Sequence, residues 1–522
     1  MRSALFHLAR TLRDLRRGGV RVLLRKARRV PAVLGATAPV QVLRVVARAA
    51  SVVGASLHGS VTARDRRWMV EQLSFLSERA TDDRRDVAAA IVRQVRRDVA
   101  VGRISAAKAA LEAAPPSLAG EPRILHELAQ VHYLRGEFDR SIGLRVQEAA
   151  LHDRTARESW LGALGVRFIS GAYIGHIGHL ALIDLLQRAR ILGELSPERR
   201  IFVGSADSVA NRAYLECWRP HVDIRLLPRR EYRTFEAAMR PLFDDVSIVR
   251  LASGPVDFYR AYAGVNERWR REGRTHLLTP DPERIEQSRR SLAGVGLDPE
   301  GWFVGLHVRE GDPHHWTNAV DCDPATYVPM IEEIVRAGGT VVRMGSPETT
   351  PLPRMKGLVD YAHLPVRSAD NDVFVWSQCR FFVGTGSGPL NVPPTFGRPS
   401  IITNYPSIAF DQWFDRHMML PKLVRDGRGN GVSFDRVLQS PFGWSVARRH
   451  EGSDWTFEDN SPAELADAAV EMLALTEGDR AFPQPTARQA AAADLLHGLG
   501  RRGRSPFPDS FIGRHPGLFP VA

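Results

Sequence analysis

The stretch Trp302-Phe-Val-Gly-Leu-His-Val-Arg-Glu-Gly-Asp312 decides the fold class of this 522-residue chain. Its first half is an apolar run, typical of a strand covered on both faces, and its second half is a polar loop. Asp323 and Pro324 then mark a helix start, Gly338 follows the helix end, and a second apolar run occupies 340–344. This alternation of strands and helices predicts a parallel α/β lobe.

The same alternation of strands and helices occurs earlier in the chain, with predicted strands at 166–169, 200–204 and 223–227. Two successive series predict an α/β chain of two Rossmann-like lobes that face a cleft, preceded by an all-α region. The predicted organisation is a basic arm (1–60), a helical region (61–160), an N-terminal lobe (161–298), a C-terminal lobe (299–476) and a loosely ordered tail (477–522).

One stretch of the helical region, 126–142, resembles the tetratricopeptide repeat (TPR). Tyr133 would pack inside a first helix, Gly136 would form the turn, and Phe138 and Ile142 would open a second helix. Stacked repeats usually need about three units for stability, and one unit is clear here. We therefore expect the helices to lean on the next domain, either as a surface for a protein partner or as a cap without a ligand.

The positive charge is concentrated at one end of the chain. The net charge is +12, and residues 1–50 hold twelve basic side chains and one acidic one, Asp14. The body is thus nearly neutral, which argues against a nucleic-acid partner. In residues 1–30, apolar positions spaced by three and four alternate with arginines, the pattern of a helix that lies on an anionic membrane surface. The alternative is a solvated basic tail.

The three cysteines, Cys217, Cys322 and Cys379, lie far apart and form no C-x-x-C motif, which favours a reducing compartment. No secretory signal and no uninterrupted membrane-spanning run is evident. We expect a cytoplasmic protein held at the inner face of the plasma membrane.

Residues suited to phosphate groups follow three predicted strands of the C-terminal lobe. Arginine offers a planar fork for a diphosphate, and small residues let backbone N–H groups approach phosphate oxygens. Ligands of parallel sheets bind at the carboxyl ends of the strands. The candidate donor-binding residues are His307, Arg309, Arg343, Gly345, Gly386, Ser387 and Gly388.

The pattern His307-x-Arg309 followed by an acid, with Asp372-x6-Cys379-Arg-Phe-Phe-x-Gly-Thr-x-Ser387 downstream, resembles the fucosyltransferase-like glycosyltransferases of GT-B architecture. It is also similar to uncharacterised bacterial glycosyltransferases with helical N-terminal extensions. The resemblance spans about 165–476 and implies that Arg309 binds the diphosphate of a nucleotide sugar, with Ser387 and Asp372 at the family's other donor positions. The chain departs at Glu310, where the family often has a second arginine. Either the donor is not GDP-fucose, or Glu310 has another role.

An inverting transfer needs a carboxylate or histidine near the acceptor hydroxyl. Glu310 and Asp312 are the candidate catalytic residues. The alternative for Asp312 is a loop cap. The resemblance places acceptor binding in the first lobe, at His176, Gly178 and His179, which could instead serve loop packing.

Asp321-Cys-Asp323 imitates a metal-binding Asp-x-Asp, but Pro324 follows it and makes Asp323 a helix cap. We therefore predict no metal site and no cofactor, with a nucleoside-diphosphate sugar as co-substrate. The sequence predicts a glycosyltransferase that moves a sugar to a hydroxyl of a cell-surface glycan or lipid-linked precursor. The alternative is a non-enzymatic scaffold with a degenerate transferase lobe.

Overall fold

The computed structural model describes residues 83–118, 120–244, 246–311, 319–411, 416–444, 450, 452–478 and 484–519. The predicted basic arm lies outside these residues. The described chain begins with helices α1 (Asp83–Ala100), α2 (Ile104–Glu112), α3 (Pro122–Leu134) and α4 (Phe138–Glu158). No strand occurs in the described part of 83–158, so the all-α prediction holds there.

The N-terminal lobe contains a parallel sheet in the order β3-β2-β1-β4. A separate antiparallel pair is formed by β5 and β6. The elements of this lobe are β1 (Val166–Ile169), α5 (Ala172–Gly175), α6 (Ile177–Ala181), α7 (Ile183–Ile191), β2 (Arg199–Ser205), α8 (Arg212–Trp218), β3 (Asp223–Leu227), α9 (Arg229–Ala238), β4 (Phe243–Asp244), β5 (Ile248–Leu251), β6 (Gly254–Asp257), α10 (Phe258–Arg271) and α11 (Pro282–Ala293).

The C-terminal lobe contains a larger parallel sheet in the order β12-β11-β10-β7-β8-β9, and a separate two-stranded antiparallel sheet pairs β13 with β14. Its strands are apolar along most of their length because helices cover both faces of such a sheet. The elements are β7 (Phe303–His307), α12 (Val328–Arg336), β8 (Thr340–Met344), β9 (Leu358–Val359), α13 (Ala369–Gln378), β10 (Phe381–Thr385), β11 (Ser400–Tyr405), β12 (His417–Pro421), β13 (Leu423–Arg425), α14 (Phe434–Leu438), β14 (Thr456–Glu458), α15 (Pro462–Leu475), α16 (Ala487–Gly498) and α17 (Asp509–Arg514).

Two parallel α/β sheets confirm the predicted fold class. The lobes share one hydrophobic core, to which α8 and α13 both contribute. At this junction the Tyr214 hydroxyl lies 2.9 Å from Thr395 Oγ1, and Asn211 Nδ2 donates to Asp372 Oδ2 at 3.2 Å. The two sheets are therefore held at a packed interface.

The turn between α3 and α4 packs against the C-terminal lobe. Gly136 has a φ of +73°, and a Cβ there would collide with Pro441, so the turn requires glycine. Phe138 is buried and stacks on Phe410 and Trp444, with ring centroids 5.0 and 5.6 Å away. The helices lean on the lobes, as expected, and whether they belong to the TPR class stays a prediction.

The tail predicted to be loosely ordered forms α16 and α17 within residues 484–519. Arg501 and Asp411, both buried, pair at 2.9 Å, and Phe507 and Phe511 enter the core. The structure differs from the prediction of a loosely ordered tail in these residues. Here an arginine neutralises a buried carboxylate, and the phenylalanines provide apolar anchors.

Candidate active site

The candidate site lies where the order of the strands reverses in each sheet. In the C-terminal lobe β7 and β10 are neighbours, with Gly384 opposite His307, and the chain continues to β8 on one side and to β11 on the other. In the N-terminal lobe β1 lies between β2 and β4. Crevices that receive ligands form at such reversals, outside the carboxyl ends of the strands.

The loops from the two reversals touch each other. A Cβ on Gly178 would lie 2.7 Å from Gly388 Cα, and a Cβ on Gly388 would lie 2.7 Å from Gly178 N. The two backbones thus meet without intervening side chains. The structure brings a predicted acceptor residue and a predicted donor residue into direct contact.

Arg309 is fixed along its backbone and exposed along its side chain. Its N–H donates to Thr385 Oγ1 at 3.1 Å, and its carbonyl oxygen accepts from Cys322 N at 3.0 Å. The side chain is 45% exposed, and Nε lies 3.0 Å from Asp321 Oδ1. Two backbone hydrogen bonds therefore hold Arg309 beside the β7–β10 reversal, while its guanidinium stays solvent-accessible.

His307 and Ser387 form a pair across β7 and β10, with Nδ1 3.0 Å from Oγ. Burial lowers the pKa of His307 to about 4, and the charges of Arg343 and Arg309 add to this effect. The imidazole is therefore neutral at pH 7. The structure places both residues at the predicted edge of the sheet.

His176 and His179 lie side by side in the loop of the first lobe, with ring centroids 4.6 Å apart. His179 Nδ1 donates to the Ala172 carbonyl oxygen at 3.1 Å. Desolvation of the His176 ring lowers its pKa, and the charges of His179 and Arg309 lower it further. A Cβ on Gly178 would lie 3.4 Å from His176 Cε1, so the His176 ring adjoins the point where the two loops meet.

Arg343 and Glu310 are placed differently from the sequence-based prediction. The Arg343 side chain has no exposed surface, and its Nη2 donates to Glu310 Oε1 at 2.7 Å while Nη1 donates to Asp360 Oδ1 at 3.1 Å. Glu310 Oε2 accepts from Thr350 N at 2.8 Å. This ion pair supports a structural role for both residues, and the predicted donor-binding role of Arg343 and catalytic role of Glu310 stay predictions.

Asp372 is also engaged in packing. Its Oδ1 accepts from the Tyr361 hydroxyl at 3.0 Å, and Oδ2 accepts from Asn211 of the first lobe. Burial raises the pKa of this carboxyl group to about 6, although both hydrogen bonds oppose the rise. Asp372 therefore links the two lobes, and its donor-binding role stays a prediction.

The other predicted positions have simpler placements. Gly386 faces the Tyr405 ring, because a Cβ there would lie 2.5 Å from Cδ2, and Gly345 lies beside Thr349 in the loop after β8. Asp312 lies outside the described residues. Asp323 accepts from Ala325 N at 2.9 Å, which confirms the predicted helix cap.

Sequence reasoning missed a cavity of about 530 Å³ beside Arg309. It is lined by Glu310, Gly311, Ala319, Asp321, Cys322, Asp323, Pro324, Thr350, Lys422, Thr456, Phe457 and Asp459. A signal existed for Lys422, one of only four lysines, which follows an apolar run. The lining residues come from distant segments, so spacing alone could not assemble them.

Among the described residues, no group of three or more His, Cys, Asp or Glu side chains is arranged to hold a metal ion. None of the described helices is long and apolar enough to cross a bilayer. Metal independence and membrane association stay predictions.

No family model and no curated protein matches the chain. Among solved structures, a family 9 glycosyl transferase from Veillonella parvula is 13% identical, with a TM-score of 0.37, over 59% of this chain and 98% of that one. The E. coli heptosyltransferase WaaC with ADP-2-deoxy-2-fluoro heptose is 13% identical, with a TM-score of 0.28, over 50% and 93%. These likenesses are too low to assign a family, so the functional argument rests on the geometry of the site.

Proposed function

We propose that the chain is a glycosyltransferase that takes a sugar from a nucleoside-diphosphate donor and passes it to a hydroxyl group. The observation that carries this proposal is the exposed Arg309 at the β7–β10 reversal, where Gly388 meets the loop of His176, Gly178 and His179 from the other lobe. A guanidinium can grip a diphosphate with two parallel hydrogen bonds. The loop of His176 and His179 in the other lobe then supplies imidazole groups that can contact the acceptor.

Arg309 would stabilise the leaving group. In the transfer, the acceptor oxygen forms a bond to the anomeric carbon, and the bond from that carbon to the phosphate oxygen breaks with its electron pair on the phosphate. A fixed positive charge is most useful where such negative charge develops. The backbone contacts of Arg309 hold it in place before the reaction.

His176 would accept the proton of the acceptor hydroxyl. Its lowered pKa keeps the ring neutral at pH 7, and a neutral imidazole can act as a general base. This role was predicted for Glu310, whose carboxylate instead pairs with buried Arg343. The hydroxyl would belong to a cell-surface glycan or a lipid-linked precursor reached from the inner face of the membrane.

Two contacts weigh against a non-enzymatic scaffold. The unusual Glu310 has a partner in Arg343, so its presence is not a sign of a degenerate donor site. The TPR-like turn at Gly136 packs against Pro441 of the same chain, so this turn is not free for another protein.

The test is binding of ADP, GDP, UDP and their sugar conjugates, measured by thermal shift and calorimetry. Arg309→Ala should weaken binding of the diphosphate that the wild type prefers by at least tenfold. Arg514→Ala is the matched control, because Arg514 is also 45% exposed and paired with a carboxylate, Asp467. Equal affinity of Arg309→Ala and wild type, or no binding by the wild type, contradicts the proposal.

A further inference from the structure

The acceptor loop (170–179), which carries His176 and His179, is held at its start by a tyrosine from another element. The Gly171 N–H, just after β1, donates to the Tyr232 hydroxyl oxygen at 3.0 Å. Tyr232 lies on α9, which follows β3, so this hydrogen bond joins segments 61 residues apart in the chain. The Tyr232 hydroxyl itself donates to Glu236 Oε1 at 2.8 Å, one turn further along α9. An ionised carboxylate only accepts, so Glu236 takes the hydroxyl hydrogen and leaves an oxygen lone pair for Gly171.

The contact between Gly171 and Tyr232 is a close one. Gly171 precedes α5, and the N–H groups at the start of a helix have no acceptor within that helix, so the tyrosine oxygen supplies one. A Cβ on Gly171 would lie 2.6 Å from Tyr232 Oη and 3.2 Å from Gly204 Cα of β2. The φ of Gly171 is −58°, which any residue can adopt. The close approach of the tyrosine, and not the backbone conformation, therefore requires glycine at this position.

The residue after Gly171 connects this contact to the two histidines. The Ala172 carbonyl oxygen accepts from His179 Nδ1 at 3.1 Å. The ring of His179 lies beside the ring of His176, with centroids 4.6 Å apart. Three contacts thus connect the Tyr232 hydroxyl to the His176 ring through one short turn of chain.

The strand before the acceptor loop and the helix of Tyr232 have supports of their own. Ser170 N donates to the Asp244 carbonyl oxygen at 3.2 Å, and β1 pairs with both β2 and β4. The helix α9 is anchored by buried Phe235, whose ring centroid lies 4.9 Å from that of Phe168 on β1. Removal of the Tyr232 hydroxyl alone should therefore release the loop without unfolding the lobe.

We propose that Tyr232 is a positioning residue, whose hydroxyl holds the start of the acceptor loop and so fixes His176 where it meets the acceptor hydroxyl. The inference rests on the proposed function, in which His176 is the base. Burial and the neighbouring Glu236 carboxylate raise the pKa of Tyr232 to about 12, so the tyrosine keeps the hydrogen that it donates to Glu236 at neutral pH. Tyr232 and Arg309 belong to different lobes, so the hydroxyl should affect the transfer step and not the binding of the diphosphate. A displacement of about 1 Å can lower a rate about 10²-fold.

The experiment compares the full-length Tyr232→Phe variant, which loses only the hydroxyl, with the wild type. The pKa of His176 is measured by NMR on chains with ¹³C-labelled histidine rings, and His176→Asn identifies its signal. In the wild type, burial holds this pKa below 6.5. In Tyr232→Phe we expect the pKa to rise toward 6.5, because a released loop lets water reach the ring.

Binding and turnover are measured on the same two proteins. The probe is the nucleoside diphosphate that binds best among those of adenosine, guanosine and uridine. By calorimetry, its affinity for Tyr232→Phe should lie within twofold of the wild-type affinity. Its release from the hexose conjugate, with water as the acceptor, should be at least tenfold slower in the variant.

Tyr327→Phe is the matched control. The Tyr327 hydroxyl also accepts from an N–H group, that of Asn404 Nδ2 at 3.0 Å, and lies 2.6 Å from a second oxygen, Thr403 Oγ1, but within the C-terminal lobe. This variant should leave the pKa of His176 and the rate of release unchanged.

Gly171→Ala is a second test, because the added methyl group must displace the Tyr232 hydroxyl. It should raise the pKa of His176 and slow the release as Tyr232→Phe does. A His176 pKa that stays at the wild-type value in both variants, or an unchanged rate of release, would overturn the inference and leave the glycosyltransferase proposal standing. A wild type that binds no diphosphate would overturn the glycosyltransferase proposal, and the pKa of His176 would still show whether Tyr232 holds the loop.

Discussion

Two consecutive residues after β7, Arg309 and Glu310, have different environments. Arg309 is 45% exposed and pairs with Asp321, whereas Glu310 turns back to neutralise Arg343, which has no exposed surface. The sequence showed an arginine and a carboxylate at a strand end, and both were interpreted as site residues. Only the structure shows that the carboxylate has a buried partner, because that partner lies 33 residues away on β8.

Glu310→Gln should therefore lower stability more than it affects chemistry. Breaking a buried ion pair costs roughly 3–5 kcal/mol, and we expect about 2 kcal/mol here because Asp360 remains as a partner of Arg343. Denaturant titration measures the loss, with exposed Glu332→Gln as the control. Unchanged stability together with a collapse of the turnover rate would restore Glu310 as the base.

The lowered pKa of His176 predicts that the turnover rate depends on pH. Its pKa lies below the usual 6.5, so the neutral, proton-accepting form dominates at pH 7 and is lost as pH falls below that pKa. The turnover rate should fall on the acidic side of pH 6.5. His176→Asn should remove this acidic limb and lower the rate about 10²–10⁴-fold. An acidic limb that persists in the variant would assign it to another group.

At the scale of elements, sequence periodicity located the strands and helices well. The predicted strands at 166–169, 223–227 and 340–344 agree with β1, β3 and β8. Hydrophobic spacing indicates burial along one element, and residues such as Asp323 and Gly338 mark the ends of helices locally. Hydrophobic spacing does not show which loops of different sheets meet, so the contact between Gly178 and Gly388 could be found only in the structure.

Gly178→Ala tests that contact. The new methyl group would lie 2.7 Å from Gly388 Cα, so one backbone must move. We expect a loss of about 1–3 kcal/mol in stability and a clear drop in turnover, because overpacking displaces the site loops. Gly143→Ala is the control: it lies on α4 with open space around it, and alanine there should stabilise by about 0.5–1 kcal/mol. If Gly178→Ala and Gly143→Ala changed stability and turnover equally, the prediction that the Gly178–Gly388 contact positions the site loops would be contradicted.

At the scale of the whole molecule, the helical region packs against both lobes. Phe138 begins α4 and contacts Tyr259 of the first lobe as well as Phe410 of the second, with ring centroids 6.1 and 5.0 Å away. Arg502 of the tail lies over the same Phe138 ring at 5.4 Å. Sequence composition could separate these regions but could not foresee that one aromatic cluster would join them.

The basic residues 1–30 lead to a prediction about where this assembled body works. Each basic side chain near an anionic membrane contributes about 1 kcal/mol to binding. Residues 1–30 contain ten basic side chains and a single acidic one, Asp14. The full chain should sediment with vesicles that contain anionic lipid and not with neutral vesicles. Salt should release it, because the attraction is screened. A chain lacking residues 1–60 should remain in the supernatant with both kinds of vesicle and keep the nucleotide affinity of the full chain. Sedimentation of the shortened chain with anionic vesicles would move the membrane contact from the arm to the lobes.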